Sequence, residues 1–466
     1  MEGEKQFFIV ILSLVCATML LLAGEIFTMT RSSNLPLSEQ TTIGMAYRAA
    51  DTVFVAPPTG ERETDRTGIM SALEEIEPGG TILFAPGTYK IGGEIIRITV
   101  PNVSLLGHPE GTILLGCDPG EFSMQNIEQY GNSCNGLEVH AGGVSVLNLT
   151  FENLFWGLHI GCCWETIPKM MPGDGGHIIE GNIFIGNSNA LRVNGYWSQP
   201  TIIRNNLFRN NWHSIAVYGN TVHILDNKIM APEPGEVQGF GFPGEGIHLA
   251  RPLELHESVT GGSLSCENNV ISGNYIEDVT EGIMMTSDVP GITCRNNLIS
   301  NNTIIIKRAH PTVFPDFLAG NAEGDSTIVG VPLALRGFWE DNTIEANFIQ
   351  GAEGVALEIR GGSNNHIVNN KITGVILRKP FPGKALSGLP ILGGDPETWR
   401  SANGSGIWLS PGSNGNEIRN NRFENIASAA VFLEGDKNHV ELLKKTDSVR
   451  DLGTGNLVTG ATNSKQ

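Results

Sequence analysis

An all-β solenoid is the fold class predicted by this chain, and three observations carry the prediction. Cys266-Glu-Asn-Asn-Val-Ile-Ser-Gly-Asn returns 28 residues later as Cys294-Arg-Asn-Asn-Leu-Ile-Ser-Asn-Asn. A looser phrase, Asn followed by a short apolar pair, recurs at Asn182, Asn206, Asn227, Asn302, Asn347, Asn370 and Asn421, with spacings such as 24, 21 and 23 residues. Between these lies a second phrase, a small residue followed by alternating aliphatics, as in Gly136-Leu137-Glu138-Val139-His140 and Gly246-Ile247-His248-Leu249-Ala250. Strand-like units of this length cannot bury their own apolar face and must stack on copies of themselves.

Each repeat reads as an outward-reading strand, a turn, a short strand, an Asn corner and another short strand. Alternation with period two sends the aliphatic residues inward and the intervening residues to the outer face of one sheet. Asn suits the corner because it tolerates positive φ and its side chain can satisfy backbone groups. Stacked Asn amides can also hydrogen-bond along the axis, so the Asn columns are read as structural.

Ahead of the repeats, Ile69, Leu73 and Ile76 fall at helical spacing. They predict a short amphipathic helix, with Asp65 or Thr67 at its start, that plugs the open N-terminal end of the solenoid. Residues 7 to 27 are an almost unbroken apolar run, close to the ~20 residues of a spanning helix. The expected organisation is a signal peptide or membrane anchor over 1–30, a linker over 31–64, the solenoid over 65–445 and a tail over 446–466. Either reading of the N-terminal segment places the remainder outside the cytoplasm, as a secreted, periplasmic or surface protein.

Composition narrows the partners. Charged residues are 17% of the chain and Gly numbers 58, which suits many tight turns and argues against helix bundles. A formal net charge of −19 disfavours nucleic acid, and an anionic polymer would need local Arg, Lys or a metal to neutralise it. Cys266 and Cys294 share one phase of consecutive repeats, so they are expected one rung apart, either bonded or stacked as buried thiols.

The Asn phrase, its period and the opening Pro78-Gly79-Gly80-Thr81-Ile82…Pro86-Gly87-Thr88-Tyr89 together resemble the right-handed parallel β-helix proteins of the pectin-lyase-like superfamily, over roughly residues 65 to 445. The resemblance implies a polysaccharide partner lying along one sheet, with active residues on its outward positions and adjacent loops. The chain has neither the Gly-His-Gly with paired Asp of the polygalacturonase-like hydrolases nor the Asp-Pro-His-Glu of the mannuronan epimerases.

Five inserts flank the outward-reading strands, at 161–177, 231–245, 251–265, 307–330 and 376–404. Inserts in repeat proteins collect on the binding face, which makes the sheet between them the floor of a groove. On that floor the expected outward residues are Glu138 and His140, His159, Arg192 with Asn194, Tyr218, His248, Met284 with Thr286, Glu358 with Arg360, and Trp408.

The expected function is to bind a polysaccharide along this sheet and to cleave or epimerise it; eliminative cleavage of a uronate would use Arg192 to neutralise the carboxylate. His159 or His248 would be the base and Tyr218 the acid. Glu138, His140, Asn194, Glu358, Arg360 and Trp408 are the expected substrate contacts. Hydrolysis would instead need two facing carboxylates, such as Glu245 with Asp288 or Glu138 with Asp174. Calcium near Glu245 and Asp288 is the one cofactor considered, and no metal ligands are assigned. The contrasting class is a non-catalytic surface or assembly protein that uses the solenoid as a rigid scaffold.

Overall fold

A computed structural model describes residues 51–118, 134–161, 175–231, 244–250, 266–287, 293–306, 310–311, 327–328, 331–377, 402–445 and 447–460. All of them belong to the unit Asp51–Gln466. The apolar run 7–27, Asp174, Asp288, Trp164, Cys162, Cys163 and most of each insert lie outside these residues.

The described chain is a parallel β-helix. Every strand pairing among the described residues is parallel except that of His310–Pro311 with Thr327–Ile328. One coil shows the plan: the strand Asn135–Val139, then Ser145–Leu147, then Thr150–Glu152. Each pairs with its counterpart one coil on, at Trp156–Ile160, Ile178–Glu180 and Ile183–Ile185. Coiling extends beyond the expected 65–445 at both ends, from the strand Thr52–Phe54 to the strand Leu457–Thr459. Thr52–Phe54 lacks the Asn phrase, whereas Leu457–Thr459 follows Asn456, a further copy of it that continues the corner column.

Inward positions stack into continuous columns. Leu137, Leu158, Leu191, Ile215, Ile247 and Ile283 form one of them, all buried and joined by register. Phe151, Phe184 and Phe208 form another, with rings parallel at 4.9 and 4.6 Å. Burying such columns is the main stabilising term, roughly 1.5–3 kcal/mol for each fully buried large side chain.

The Asn corners divide their labour between two neighbours. In Asn205-Asn206 the first residue takes φ 55° and turns the chain. The second is buried and donates from Nδ2 to Ile179 O at 2.9 Å and to Asn227 Oδ1 at 3.0 Å. Repetition makes an eight-residue amide ladder through Asn182, Asn206, Asn227, Asn274, Asn302, Asn347, Asn370 and Asn421. A second ladder runs from Asn269 through Asn297, Asn342, Asn365 and Asn416 to Asn438 and Asn456.

The capping helix is present as Arg62–Glu75, with Ile69, Ala72 and Leu73 buried. It begins one turn earlier than expected, and Glu61 at its N-cap makes no side-chain cap bond. Asp65 therefore sits in the first turn instead of capping. Its carboxylate accepts from Thr59 N at 2.7 Å and Lys90 N at 3.0 Å, tying helix to first coil. Cys117 and Cys134 are joined as a disulfide, whereas Cys266 and Cys294 are buried thiols not joined by one.

Candidate functional site

The outward-reading strands run in register, so their outward side chains form columns. The central column runs Glu138, His159, Arg192, Ala216, His248, Met284, Ala334, Glu358 and Trp408. On one side stand Asn194 and Tyr218, then Ala250, Thr286, Arg336 and Arg360. On the other side stand Asn189, His213, Glu245 and Glu281. His159, Arg192, Tyr218 and His248 are thus on one face, over four successive rungs at a spacing of ~4.8 Å.

A first polar network surrounds Glu138, which is 2% exposed. Arg97 Nε donates to its Oε2 at 3.1 Å, His140 Nε2 lies 2.8 Å from the same oxygen, and His159 Nδ1 lies 3.5 Å from Oε1. Burial pushes Glu138 upward, but His140, His159 and Arg97 outweigh it and hold the carboxyl below its usual range.

His159 is itself buried, at 5% exposure, and its pKa is pushed down to about 3 by burial and then by the neighbouring Arg192. It is a neutral imidazole. Asn194 Nδ2 donates to its Nε2 at 2.9 Å, which leaves the ring proton on Nδ1 facing Glu138. Arg192 Nε donates in turn to Asn194 Oδ1 at 3.1 Å. The Arg192 guanidinium is stacked between aromatic rings, 4.4 Å from the Tyr218 centroid and 5.2 Å from that of Trp156.

A second network centres on Glu245. Its Oε2 accepts from His213 Nδ1 and from His248 Nδ1, both at 2.9 Å. Burial opposes the charge, yet the two imidazoles hold the carboxyl well below its usual range. Burial would lower His248, but Glu245 overrides it and the net shift is upward. The other ring nitrogen, Nε2, is 2.8 Å from Thr286 Oγ1. Tyr218 is raised by burial and stays a neutral phenol, its ring 6.4 Å from that of His248. Ala216 lies between Arg192 and His248, and Ala250 between Tyr218 and Thr286. Two small, buried side chains thus separate a cation, a phenol, an imidazole and a hydroxyl on one face.

A third network is sealed. Arg336 bridges Glu281 at 3.2 Å and Glu358 at 3.3 Å, and Arg360 pairs with Glu358. Glu358 has no exposed surface, and burial followed by Arg336 pushes Arg360 down to about 9. Trp408 points outward in phase, yet it is 1% exposed, packed with Ala402, Ala429 and Phe432 under the arriving chain. Its Nε1 donates to Glu434 at 2.8 Å and Arg360 stacks on its ring. The expectation of Trp408 as an exposed sugar platform is therefore corrected: neighbouring rungs cover it.

The sequence reading did not single out His213, paired Glu245 with Asp288 rather than with His248, and left out the rung of Arg336. His213 and Glu245 stand three residues before the central column, out of phase with the period-two alternation, which is why the pattern did not mark them as outward. Arg336 was missed because its strand, Leu333–Gly337, follows the long insert after the Asn302 corner and opens on Pro332 rather than on a small residue.

Residues 120–340 match the family described as periplasmic copper-binding protein (NosD), and residues 254–446 match the right-handed β-helix region family. No curated protein matches. Among solved structures, the chain is similar to the tailspike protein of an E. coli bacteriophage in complex with a pentasaccharide, at 12% identity and a TM-score of 0.50, covering 88% of this chain and 79% of that one. It is also similar to a DFA-IIIase from Arthrobacter chlorophenolicus, at 13% identity and a TM-score of 0.44, covering 84% and 93%.

Among the described residues no three His, Cys, Asp or Glu side chains converge on a point that could hold a metal ion. His248 has both ring nitrogens engaged, and Cys266 with Cys294 offers two sulfur atoms only. The described residues do not fit a three- or four-ligand copper centre. Parallel register, the coil plan and these similarities together make the chain a right-handed parallel β-helix.

Proposed function

We propose that this right-handed parallel β-helix is an extracytoplasmic carbohydrate-active protein that binds a polysaccharide along its outward-reading sheet and cleaves it by elimination at the rungs from Arg192 to His248. The observation that carries the reading is the convergence of Arg192, Tyr218 and His248 around Ala216 and Ala250. Three supports are independent of it. Rung spacing of ~4.8 Å is close to the length of one sugar unit. The matched family is described as periplasmic, and a disulfide at Cys117–Cys134 suits an oxidising compartment. The neighbouring tailspike was solved with a pentasaccharide. Among the described residues no helix is long and apolar enough to cross a membrane, and the run 7–27, proposed as anchor or signal, lies outside them.

In this reading a uronate carboxylate lies against the Arg192 guanidinium, whose orientation is fixed by Asn194 and by the flanking rings. His248 in its neutral form removes the proton beside the carboxylate, its basicity raised by Glu245. Tyr218, kept protonated by burial, delivers a proton to the departing oxygen. His159, neutral and buried, holds Asn194 and through it Arg192, which makes it a positioning residue. Glu138 and His140 anchor that chain from behind. Glu358, Arg360 and Trp408 brace the sheet beyond these rungs.

The base must be neutral, so the rate should climb as pH rises through the raised pKa of His248, at a higher pH than an unperturbed imidazole would give. The test is a screen of the chain against uronic-acid polymers, reading absorbance of the unsaturated product, with and without calcium. Arg192→Ala and His248→Ala should each lower kcat/KM by at least about 100-fold while the thermal transition is retained. Unchanged product formation by both variants rejects the site. Tight binding with no product from the native chain leaves the scaffold class.

A further inference from the structure

Thr286 stands on the rung after His248 with its hydroxyl 2.8 Å from His248 Nε2, while His248 Nδ1 is 2.9 Å from Glu245 Oε2. Hydroxyl, imidazole and carboxylate are therefore connected in line through the two ring nitrogens. That is the arrangement by which a weak oxygen nucleophile is activated: the base within hydrogen-bond reach, and the base oriented by a third group. Thr286 is partly exposed, near the end of the strand Glu281–Ser287, as the register partner of Ala250. Nothing in the elimination described above requires a hydroxyl there.

We propose that Glu245, His248 and Thr286 form a nucleophilic relay that removes O-acyl groups from the bound glycan. Two further features fit an acyl ester. Ala216 and Met284, the register partners of His248, and Ala250, that of Thr286, are small or apolar buried side chains, an environment that accepts the methyl of an acetyl group. Arg336, the register partner of Thr286, has a buried Nε–H that neither Glu281 nor Glu358 takes, and its positive charge beside Thr286 favours a developing oxyanion.

The chemistry balances without a co-reactant other than water. Thr286 Oγ1 bonds to the ester carbonyl carbon and passes its proton to His248 Nε2. The bond from that carbon to the sugar oxygen breaks, and His248 returns the proton to the sugar oxygen, leaving a free hydroxyl and an acyl-threonine. Water then attacks the acyl carbon, gives a proton to His248, and the Thr286 oxygen departs with it as the carboxylic acid is released. Glu245 keeps the ring oriented and offsets its transient charge throughout.

This activity shares the glycan-binding half of the proposed function and does not depend on elimination, so the two are measured separately. The full chain is assayed for acetate release from an O-acetylated uronic-acid polysaccharide and from p-nitrophenyl acetate, alongside unsaturated-product absorbance. Thr286→Val, which keeps the shape and removes the hydroxyl, should lose acetate release by at least about 100-fold, and Thr286→Ser should restore it. Rapidly quenched reactions, digested and sequenced by mass spectrometry, should carry an acetyl group on Thr286, and none should form there in His248→Ala. Three results each overturn the proposal: no ester hydrolysis by the native chain, full acetate release by Thr286→Val, or an acetyl group on another residue. Acetate release with no unsaturated product would keep this activity and remove the elimination.

Discussion

Protons decide what the outward residues can do. His159 has an imidazole pKa of about 3 in the folded chain against 6.5 when free, so the unfolded chain takes up a proton that the folded chain refuses. Stability from this group is complete above pH 6.5 and declines as pH falls from 6.5 towards 3, by on the order of a few kcal/mol. Glu138, held below its usual range, adds to the loss at the acidic end. His159→Gln should flatten that decline, as read from thermal transitions at pH 7 and pH 5. An equally steep decline in the variant would mean that His159 is not the buried neutral group described.

The alternation of aliphatic and other residues made the outward phase of His159, Arg192, Tyr218 and His248 legible in the sequence. It did not make exposure legible. His159, Glu358 and Trp408 all point outward and are all buried, because long neighbours on adjacent rungs cover them. Period two says which face a side chain leaves from, and the packing of three columns decides whether water reaches it.

At the scale of the element, the two Asn residues of a corner should respond differently to substitution. Asn205 contributes backbone conformation at φ 55°, which Gly adopts at no steric cost, so Asn205→Gly should change stability by less than about 1 kcal/mol. Asn274 donates to Ile224 O and Asn302 Oδ1 and accepts from Asn227, all buried. Asn274→Ala leaves several of these groups without partners and should cost roughly 2–4 kcal/mol. Denaturant titration of both variants checks the contrast, and equal losses would contradict it.

Ladder and turn were both foreseen for the Asn phrase, but their assignment to separate neighbours was not, since either residue of an Asn-Asn pair satisfies the pattern. Gly161 shows the same tightness beside the site: at φ 95°, a Cβ there would fall on the carbonyl oxygen of Asn194. The Cys117–Cys134 disulfide was not legible at all, because spacing along the chain does not encode which rungs meet.

For the whole molecule, the binding of an anionic glycan has to succeed against a net charge of −19. Long-range repulsion is screened over ~8–10 Å at physiological ionic strength, while close contact with a guanidinium between aromatic rings is screened far less. Affinity for a polyuronate should therefore hold or rise as salt increases from about 0.02 to 0.2 M, opposite to the fall expected of a diffuse basic surface. Calorimetric titration at the two ionic strengths measures it, and a loss of tenfold or more would contradict local recognition at Arg192.

The central claim is that a glycan lies along the outward-reading sheet and is acted on at the rungs from Arg192 to His248. A crystal structure of the Tyr218→Phe variant with a uronic-acid oligosaccharide tests it most directly. The account predicts sugar units following the rungs, with one carboxylate on Arg192 and the adjacent ring carbon facing His248 Nε2. An oligosaccharide bound to either of the other two sheets, or to an end of the coil, would contradict it.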